Sequence, residues 1–166
     1  EAMTMADRIA VMDKGKVIQV APPADVYEAP NSRFVADFIG SVNTFEGTAG
    51  KAGDGRIEIA TKDDFAINAE CTGTPAPGAT VWYAIRPEKI RVSRKAPANT
   101  SSNAAKGVVY DIAYMGDMTV YNIKLDSGKV VRTSVVNASR SAEDQMSWDD
   151  EAWVSFAPDA GIVLKG

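Results

Sequence analysis

The 166-residue chain contains no histidine and a single cysteine, and it has no long apolar run. Without histidine, Ser-His-Asp and Cys-His catalysis and histidine-containing zinc sites are excluded. Cys71 has no second cysteine with which to form an internal disulfide, which fits a reducing compartment. The longest uncharged stretch, Cys71–Ile85, is broken by two prolines and two glycines and falls short of the roughly 18–20 residues that span a bilayer.

The chain is mildly acidic, with 22 Asp and Glu residues against 18 Lys and Arg residues and a formal net charge of −4. This balance opposes nucleic acid as the main partner, because binding to a phosphate backbone relies on clustered Lys and Arg. The acids concentrate late in the chain, at Glu143, Asp144, Asp149, Asp150 and Glu151. We interpret this group as a solvated loop, with a cation-attracting patch as the alternative.

Two common phosphate-binding glycine motifs, G-x-x-x-x-G-K-[ST] and G-x-G-x-x-G, are absent. In the nearest match to the first, Phe45 replaces the leading glycine and Ala52 replaces the hydroxyl residue, so no phosphate cradle is predicted. Gly53–Gly55 is interpreted as a turn between strands. The adjacent residues Asp63 and Asp64 point to opposite faces of an extended segment, which is poor geometry for a shared metal or acid/base site.

The first residues carry helix and hairpin signals. No initiator Met precedes Glu1 and residues 1–7 read as helix, so we expect the tail of one domain fused to the whole of another. Two β-branched runs, Arg8–Met12 and Lys16–Val20, are separated by Asp13-Lys14-Gly15, which predicts a tight hairpin. A helix is predicted after the two prolines that follow, and it ends before Pro30.

A third helix is predicted after Asn31 or Ser32, either of which can cap it. Its apolar face, at helical spacing, consists of Phe34, Val35, Phe38 and Ile39. Gly40 ends it.

From Val42 onward the apolar period changes from helical to two, which is typical of strands. The predicted strands are Thr44–Thr48, Gly55–Thr61, Phe65–Glu70, Val81–Arg86, Glu88–Ser93, Lys106–Met115, Met118–Leu125, Lys129–Val136, Glu151–Phe156 and Ala160–Leu164. The predicted long loops are Thr72–Thr80, Ala96–Ala105 and Asn137–Trp148. Short, evenly spaced strands with glycine turns predict a mainly β fold made of one or two small OB-like barrels.

The candidate contact residues lie on or beside these strands: Arg86, Glu88, Trp82, Tyr114 and Asp117. In Arg86-Pro87-Glu88 a strand ends, and we interpret the two charges as a structural pair, with a ligand-recognising Arg fork as the alternative. For the strand aromatics we expect core packing, with polyamine contact as the alternative. No catalytic, cofactor-binding or metal-binding residue is predicted.

Three N-terminal blocks resemble the ATP-binding subunits of bacterial ABC importers, of the putrescine/spermidine (polyamine) type. They read EAMTMADRIAVMDKGKVIQV, PADVYEAP and RFVADFIGSVNTFEG. Four later segments resemble the C-terminal TOBE regulatory region of such subunits: YAIRPEKI, IAYMGDMTVY, IKLDSG and VVNASR.

The resemblance implies that residues 1–42 are the C-terminal edge of a nucleotide-binding domain and that 43–166 form the TOBE, OB-like regulatory domain. In that family the phosphate loop, signature motif, Walker B acids and switch histidine would all lie upstream of Glu1. No family catalytic residue therefore transfers to this chain, and ATP and magnesium are expected as cofactors of the parent subunit only. We expect this part to be no enzyme.

The resemblance also implies partners and a location. A second copy of the subunit would pair through the barrel, and transmembrane permease subunits would complete the parent complex. A small-molecule effector is an open possibility, and the location implied is the cytoplasmic, inner face of the bacterial membrane.

Four alternatives stay open on the sequence. They are a polyamine-sensing barrel, a subunit for another solute (iron, sulfate or sugar), an OB-type nucleic-acid binder and a stand-alone enzyme. The apolar residues of hairpin 8–20 need a cover, and we expect them to pack on the barrel, pair with another copy or be disordered.

Overall fold

The computed structural model describes residues 1–137 and 145–165 and is mainly β. Its N-terminal part contains α1 (Ala2–Met5), β1 (Ile9–Asp13), β2 (Lys16–Ala21), α2 (Pro23–Glu28) and α3 (Arg33–Ile39). The later strands are β3 (Asn43–Gly53), β4 (Arg56–Thr61), β5 (Ala66–Glu70), β6 (Thr80–Ile85), β7 (Arg91–Ser93), β8 (Asn103–Tyr114), β9 (Met118–Leu125), β10 (Val130–Val136), β11 (Glu151–Phe156) and β12 (Ile162–Leu164). None of the helices in this described part is long and apolar enough to cross a bilayer.

The predicted tight turns are confirmed. Between β1 and β2, Lys14 and Gly15 have φ angles of 50° and 77°, and between β3 and β4, Asp54 and Gly55 have φ angles of 53° and 74°. Two consecutive positive φ values define the turn whose twist matches that of antiparallel strands. The predicted cap of α3 is Ser32, whose Oγ accepts a hydrogen bond from the main-chain nitrogen of Val35 at 3.3 Å.

Two five-stranded antiparallel sheets, in the orders β10-β9-β8-β11-β7 and β12-β6-β3-β4-β5, enclose one hydrophobic core. The predicted meander is confirmed, since β8, β9 and β10 are neighbours in one sheet. In the core, Phe156 of β11 packs against rings of the other sheet, 5.6 Å from the Tyr83 centroid and 6.4 Å from that of Phe45. Alternate burial, clearest along β4 and β5, places one face of each sheet inside.

Two buried asparagines join the sheets at their edges. The Asn43 amide donates to the Arg132 carbonyl and accepts from the Arg132 main-chain nitrogen, both at 2.8 Å. Asn103 does the same for Asn68, at 2.9 and 2.8 Å. Each side chain thus imitates the donor and acceptor of a neighbouring strand, so the main chain of β10 and of β5 is paired across the sheet boundary.

The N-terminal hairpin packs in a way that the sequence did not suggest. It covers α2 and α3 rather than the barrel, around a small core of Val11, Val26 and Val35. The Gln19 amide fixes the arrangement, because it donates to the Ala29 carbonyl at 3.0 Å and accepts from the main-chain nitrogen of residue 31 at 2.9 Å. The expectation of packing on the barrel was therefore wrong.

The predicted apolar face of α3 is also partly wrong. Val35 and Ala36 are buried, whereas Phe34 and Phe38 are 38% and 67% exposed and stack on each other at 5.7 Å. The helix lies between two surfaces: Val35 enters the hairpin core and Ala36 a separate cluster on the barrel. Adjacent residues face these two surfaces, so the buried stripe differs from a single 3.6-residue pattern.

Two predicted boundaries shift for identifiable reasons. The predicted strand Glu88–Ser93 begins instead as the short 3₁₀ helix Pro87–Lys89, and only Arg91–Ser93 pairs, because proline starts a helical turn readily and cannot donate to a strand ladder. The predicted loop Ala96–Ala105 ends early, since β8 starts at Asn103, whose amide binds the main chain of β5.

Some late features were only partly anticipated. Asp150 and Glu151 form ion pairs with Arg94 at 3.1 Å and Lys106 at 3.2 Å, and the Glu151 side chain remains 72% exposed to solvent. Asp149 is exposed, whereas the acids at 143 and 144, and most of the predicted loop after residue 137, lie outside the described residues. Core packing holds for Tyr83 and Tyr121 but is wrong for three aromatics that are more than half exposed: Tyr110, Tyr114 and Trp148.

Replacing Asn103 with alanine tests the amide connection between the sheets. Asn103→Ala leaves the main chain of Asn68 without its partner, so we expect the free energy of unfolding to fall by about 1–3 kcal/mol. The matched control is Asn68→Ala, because the exposed Asn68 side chain is not used in the contact, and it should change the value by about 0.5 kcal/mol at most. Urea unfolding followed by tryptophan fluorescence measures both, and equal losses would contradict the role of the Asn103 amide.

Candidate functional site

The N-terminal part meets the barrel at Arg86, which directly follows β6 and is only 5% exposed. The guanidinium donates to the Tyr27 carbonyl from Nε at 3.3 Å and from Nη2 at 3.1 Å. Its Nη1 donates to the carbonyls of Ala36 at 3.0 Å, Gly40 at 3.2 Å and Ser41 at 3.1 Å. All these acceptors belong to the main chain of segment 27–41, which contains the C-terminal ends of α2 and α3.

Helix geometry explains why an arginine lies here. The last four carbonyls of a helix have no partner within it and carry partial negative charge. Tyr27 and Ala36 supply such carbonyls from two different helices, and Gly40 and Ser41 follow directly after the second. A planar guanidinium spreads five N–H groups over three nitrogens and so reaches widely spaced acceptors from one position, whereas a lysine ammonium has three N–H groups on a single nitrogen.

The Tyr27 side chain completes the contact. Its ring lies 4.3 Å from the Arg86 guanidinium carbon, and its hydroxyl donates to the Glu88 carboxylate. At the rim, Lys89 forms an exposed ion pair with Glu28 at 3.5 Å. We name this group of Tyr27, Glu28, Arg86, Glu88 and Lys89 the Arg86 junction.

The predicted Arg86–Glu88 pair is wrong, because no ion pair joins these two side chains within residues 1–137 and 145–165. Each contacts Tyr27 instead: Arg86 extends inward from the end of β6, whereas Glu88 lies in the 3₁₀ turn and stays exposed. The main-chain acceptors occupy the guanidinium, which leaves no free fork for a ligand.

A second contact lies beside the junction. Arg33 of α3 lies over the Trp82 ring at 4.6 Å. Below it, Ala36 packs with Ala84 of β6 and Leu164 of β12 in a buried cluster. The N-terminal helices are therefore held to the barrel by both polar and apolar contacts.

The five candidate residues do not form one site. Arg86, Glu88 and Trp82 lie at or beside the junction. Tyr114 and Asp117 flank the turn between β8 and β9, in the other sheet, where Tyr114 is 64% exposed and the Asp117 carbonyl accepts from the main-chain nitrogen of residue 137. In the described ranges, no three His, Cys, Asp or Glu side chains gather where they would hold a metal ion.

The sequence reasoning missed Tyr27, which contacts both Arg86 and Glu88. A sequence signal for Tyr27 is its position in a helix bounded by Pro23 and Pro30. Its contact with Arg86, however, spans 59 residues, and no local pattern predicts it. The junction offers hydrogen bonding, stacking and charge within the chain. Its chemistry is therefore that of a connection between two parts of the fold.

The family model of the TOBE domain matches residues 83–164, which include Arg86 and Glu88 but not Tyr27. Residues 83–164 belong to the TOBE domain family. The Arg86 junction thus joins the TOBE domain to the segment that precedes it.

The whole chain is similar to ATP-binding subunits of polyamine importers. It is 38% identical over 165 residues to the putrescine transport ATP-binding protein PotG of Escherichia coli K12, covering 99% of this chain and 44% of the relative. It is 36% identical over 167 residues to the spermidine/putrescine import ATP-binding protein PotA of Thermobifida fusca, covering 100% of this chain and 42% of the relative. The chain thus spans less than half the length of these relatives and matches their C-terminal parts.

A solved structure confirms the fold of the TOBE domain as OB-like. The cytoplasmic molybdate-binding protein ModG superposes with a TM-score of 0.67, covering 75% of this chain and 96% of that chain, at 16% sequence identity. Identity this low supports a shared fold only.

Replacing Arg86 with lysine tests the junction. Arg86→Lys keeps the charge but cannot reach carbonyls on two helices, so we expect the free energy of unfolding to fall by about 3 kcal/mol. Arg132→Lys is the matched control, since the Arg132 side chain is exposed and only its main chain is bonded to Asn43. Urea denaturation measures both variants, and a loss below about 1 kcal/mol in Arg86→Lys would contradict the assigned role.

Alkaline pH provides an independent test through Tyr27. Burial, followed by the hydrogen bond to Glu88, raises the pKa of Tyr27 from 10.0 to about 12, while Arg86 acts in the opposite direction. Because the pKa is higher in the folded chain, this stabilisation is complete below the unfolded pKa and is lost as pH rises through the folded pKa. We therefore expect stability to fall between pH 10.0 and about 12.

Tyr27→Phe removes the ionising hydroxyl and should weaken that alkaline loss, whereas Tyr110→Phe on the surface should leave it as in the wild type. Burial likewise raises the pKa of Tyr83 to about 12, so part of the loss should persist in both variants. Thermal melts at stepped pH measure the effect. An alkaline loss in Tyr27→Phe equal to that of the wild type would show that the junction hydroxyl is not responsible.

Proposed function

We propose that the chain is the C-terminal regulatory and dimerisation region of the ATP-binding subunit of an ABC importer for polyamines. The observation that carries the proposal is the similarity to PotG and PotA along 99–100% of the chain, together with the junction that ties segment 1–42 to the barrel. Segment 1–42 is then the edge of the nucleotide-binding domain, and 43–166 the regulatory domain. The parent subunit uses ATP and magnesium, and this part supplies no catalytic group to it.

In the proposed role the barrel joins two copies of the subunit, which keeps their nucleotide-binding domains at high effective concentration while these open and close. The Arg86 junction supplies the mechanical connection. A displacement of α2 or α3 moves carbonyls that bind the guanidinium directly after β6, so the two parts move together. A regulator that favours one position of the barrel then biases the state of the nucleotide-binding domain.

The other proposed partners follow from the family. Permease subunits would bind the nucleotide-binding domains, at the cytoplasmic face of the bacterial membrane. Polyamine is the proposed solute of the parent. The separation of Tyr114 and Asp117 from the junction gives no support to a polyamine-sensing site built from the five candidate residues.

The end of the β8–β9 hairpin is the proposed contact between copies. Three apolar side chains there are more than half exposed: Tyr114, Met115 and Val136. They lie at one end of the sheet, because Val136 pairs with Met118 and Tyr114 pairs with Thr119, and this register places Tyr114 and Val136 on opposite faces of that end. Exposed apolar groups of this kind are characteristic of protein–protein contacts.

Light scattering of the purified chain tests the dimer. We expect a mass of two chains at high concentration, and we expect Met115→Glu to shift it toward one chain because it buries a charge in the contact. Met5→Glu is the control, since Met5 is also exposed, at 86%, and receives the same charge. A wild-type chain that stays monomeric at high concentration would contradict the dimerisation, and an equal shift in both variants would contradict the assigned surface.

A further inference from the structure

Two methionines and a valine form an apolar row across the end of the sheet that contains β8, β9 and β10. Met118 of β9 pairs with Val136 of β10, and the Met115 main-chain nitrogen donates to the Met118 carbonyl at 2.9 Å across the turn. On β9, Tyr121 and Ile123 point into the hydrophobic core. Because side chains alternate along a strand, Met118 and its two cross-strand neighbours lie on the outer face of the sheet. We name these three residues the methionine row.

The turn beside the row is held in place by Asn137. The Asn137 side chain donates to the Gly116 carbonyl at 2.7 Å and accepts from the Thr119 hydroxyl at 2.6 Å, and its main-chain nitrogen donates to the Asp117 carbonyl at 2.9 Å. These three bonds connect the end of β10 to both turn residues and to the start of β9. The main chain of the row is therefore fixed, whereas the unbranched methionine side chains can adapt to a facing surface.

The methionines of the chain differ in how far a dissolved oxidant reaches them. Met115 is 59% exposed and Met118 is half-buried, whereas Met146 lies in the core and is 3% exposed. Met5 and Met12 are also exposed, at 86% and 54%, but they lie in the N-terminal segment, away from the row. An oxidant in solution therefore reaches Met115 and leaves Met146 protected.

We propose that the methionine row is a reversible oxidation site that separates the two copies of the chain. The thioether sulfur of Met115 attacks one oxygen of hydrogen peroxide, the O–O bond breaks, a sulfur–oxygen bond forms, and the other oxygen leaves as water. The sulfur loses two electrons and the peroxide gains them. A sulfoxide reductase that draws two electrons from a dithiol restores the thioether and releases the oxygen as water. This inference rests on the dimerisation proposed above.

The sulfoxide weakens the contact because it is polar where the contact is apolar. In a contact between identical copies each residue of the row occurs twice, so two sulfoxide oxygens would lose water. The side chains of the row carry no N–H or O–H group that could donate to them. Since the contact itself covers Met115, oxidation acts on the separated chain and then prevents it from pairing again.

Peroxide treatment of the whole chain tests the site, with peptide mass mapping to locate the sulfoxides and light scattering across a concentration series to measure the dimer. Every sample carries Cys71→Ser, so that no intermolecular disulfide adds to the dimer. We expect sulfoxide at Met115, unmodified Met146, and a dissociation constant that rises by about tenfold or more. Methionine sulfoxide reductase with a dithiol should restore the original constant.

Leucine substitutions assign the effect to the row. Met115→Leu combined with Met118→Leu removes both thioethers at nearly constant volume, so peroxide should no longer change the dissociation constant. The matched control is Met5→Leu combined with Met12→Leu, which removes two exposed thioethers elsewhere. Peroxide should still raise its dissociation constant by about tenfold or more.

The outcomes separate the oxidation site from the dimer on which it rests. A chain that is monomeric before any peroxide is added would contradict the dimerisation and the site together. A dimer that persists when Met115 and Met118 are fully oxidised would overturn the oxidation site alone. So would an equal response of the two leucine pairs, or dissociation that occurs only with oxidation of Met146, because the loss would then come from another position or from unfolding.

Discussion

The guanidinium of Arg86 is a buried positive charge whose direct acceptors are main-chain carbonyls rather than a carboxylate. Taking such a charge out of water costs several kcal/mol, and only a nearly complete set of hydrogen bonds offsets that cost. The ends of α2 and α3 need donors for the same reason, since their final carbonyls have no partner within the helix. Each side of the contact thus requires the other, which makes the N-terminal helices part of the folded barrel.

The same principle appears at the sheet boundaries. Asn43 and Asn103 replace a missing strand with one amide, so that main-chain groups of Arg132 and Asn68 are paired. In all three places, a buried polar side chain satisfies the main chain of a segment far away in sequence. The apolar core sets how the sheets face each other, and these amides and the guanidinium fix how the parts are joined. In the proposed role, such connections would transmit movement between the nucleotide-binding domain and the barrel.

Local features were predictable wherever the physical cause is local. Lys14-Gly15 between β-branched runs determined the first hairpin, and period-two alternation predicted β9 and β11 with their observed bounds. The contacts of the junction were not predictable, since Arg86 binds residues 45 to 59 positions earlier and the acceptors are carbonyls that every residue carries. The predicted burial of Phe34 and Phe38 was wrong because α3 buries two adjacent residues, Val35 and Ala36, against two different surfaces. The sequence therefore predicted the arginine of the candidate site, whereas only the structure identified the carbonyls that it binds.

Native-state hydrogen exchange across a urea series tests most directly whether Arg86 makes α3 and the barrel one cooperative unit. In the wild type, the amides of α3 should open with the same free energy and urea dependence as those of β6 once urea approaches the unfolding range. In Arg86→Lys, α3 should open separately and more easily, while the amides of β3 and β4 still open together. Separate opening of α3 in the wild type, or its unchanged joint opening in Arg86→Lys, would contradict the account.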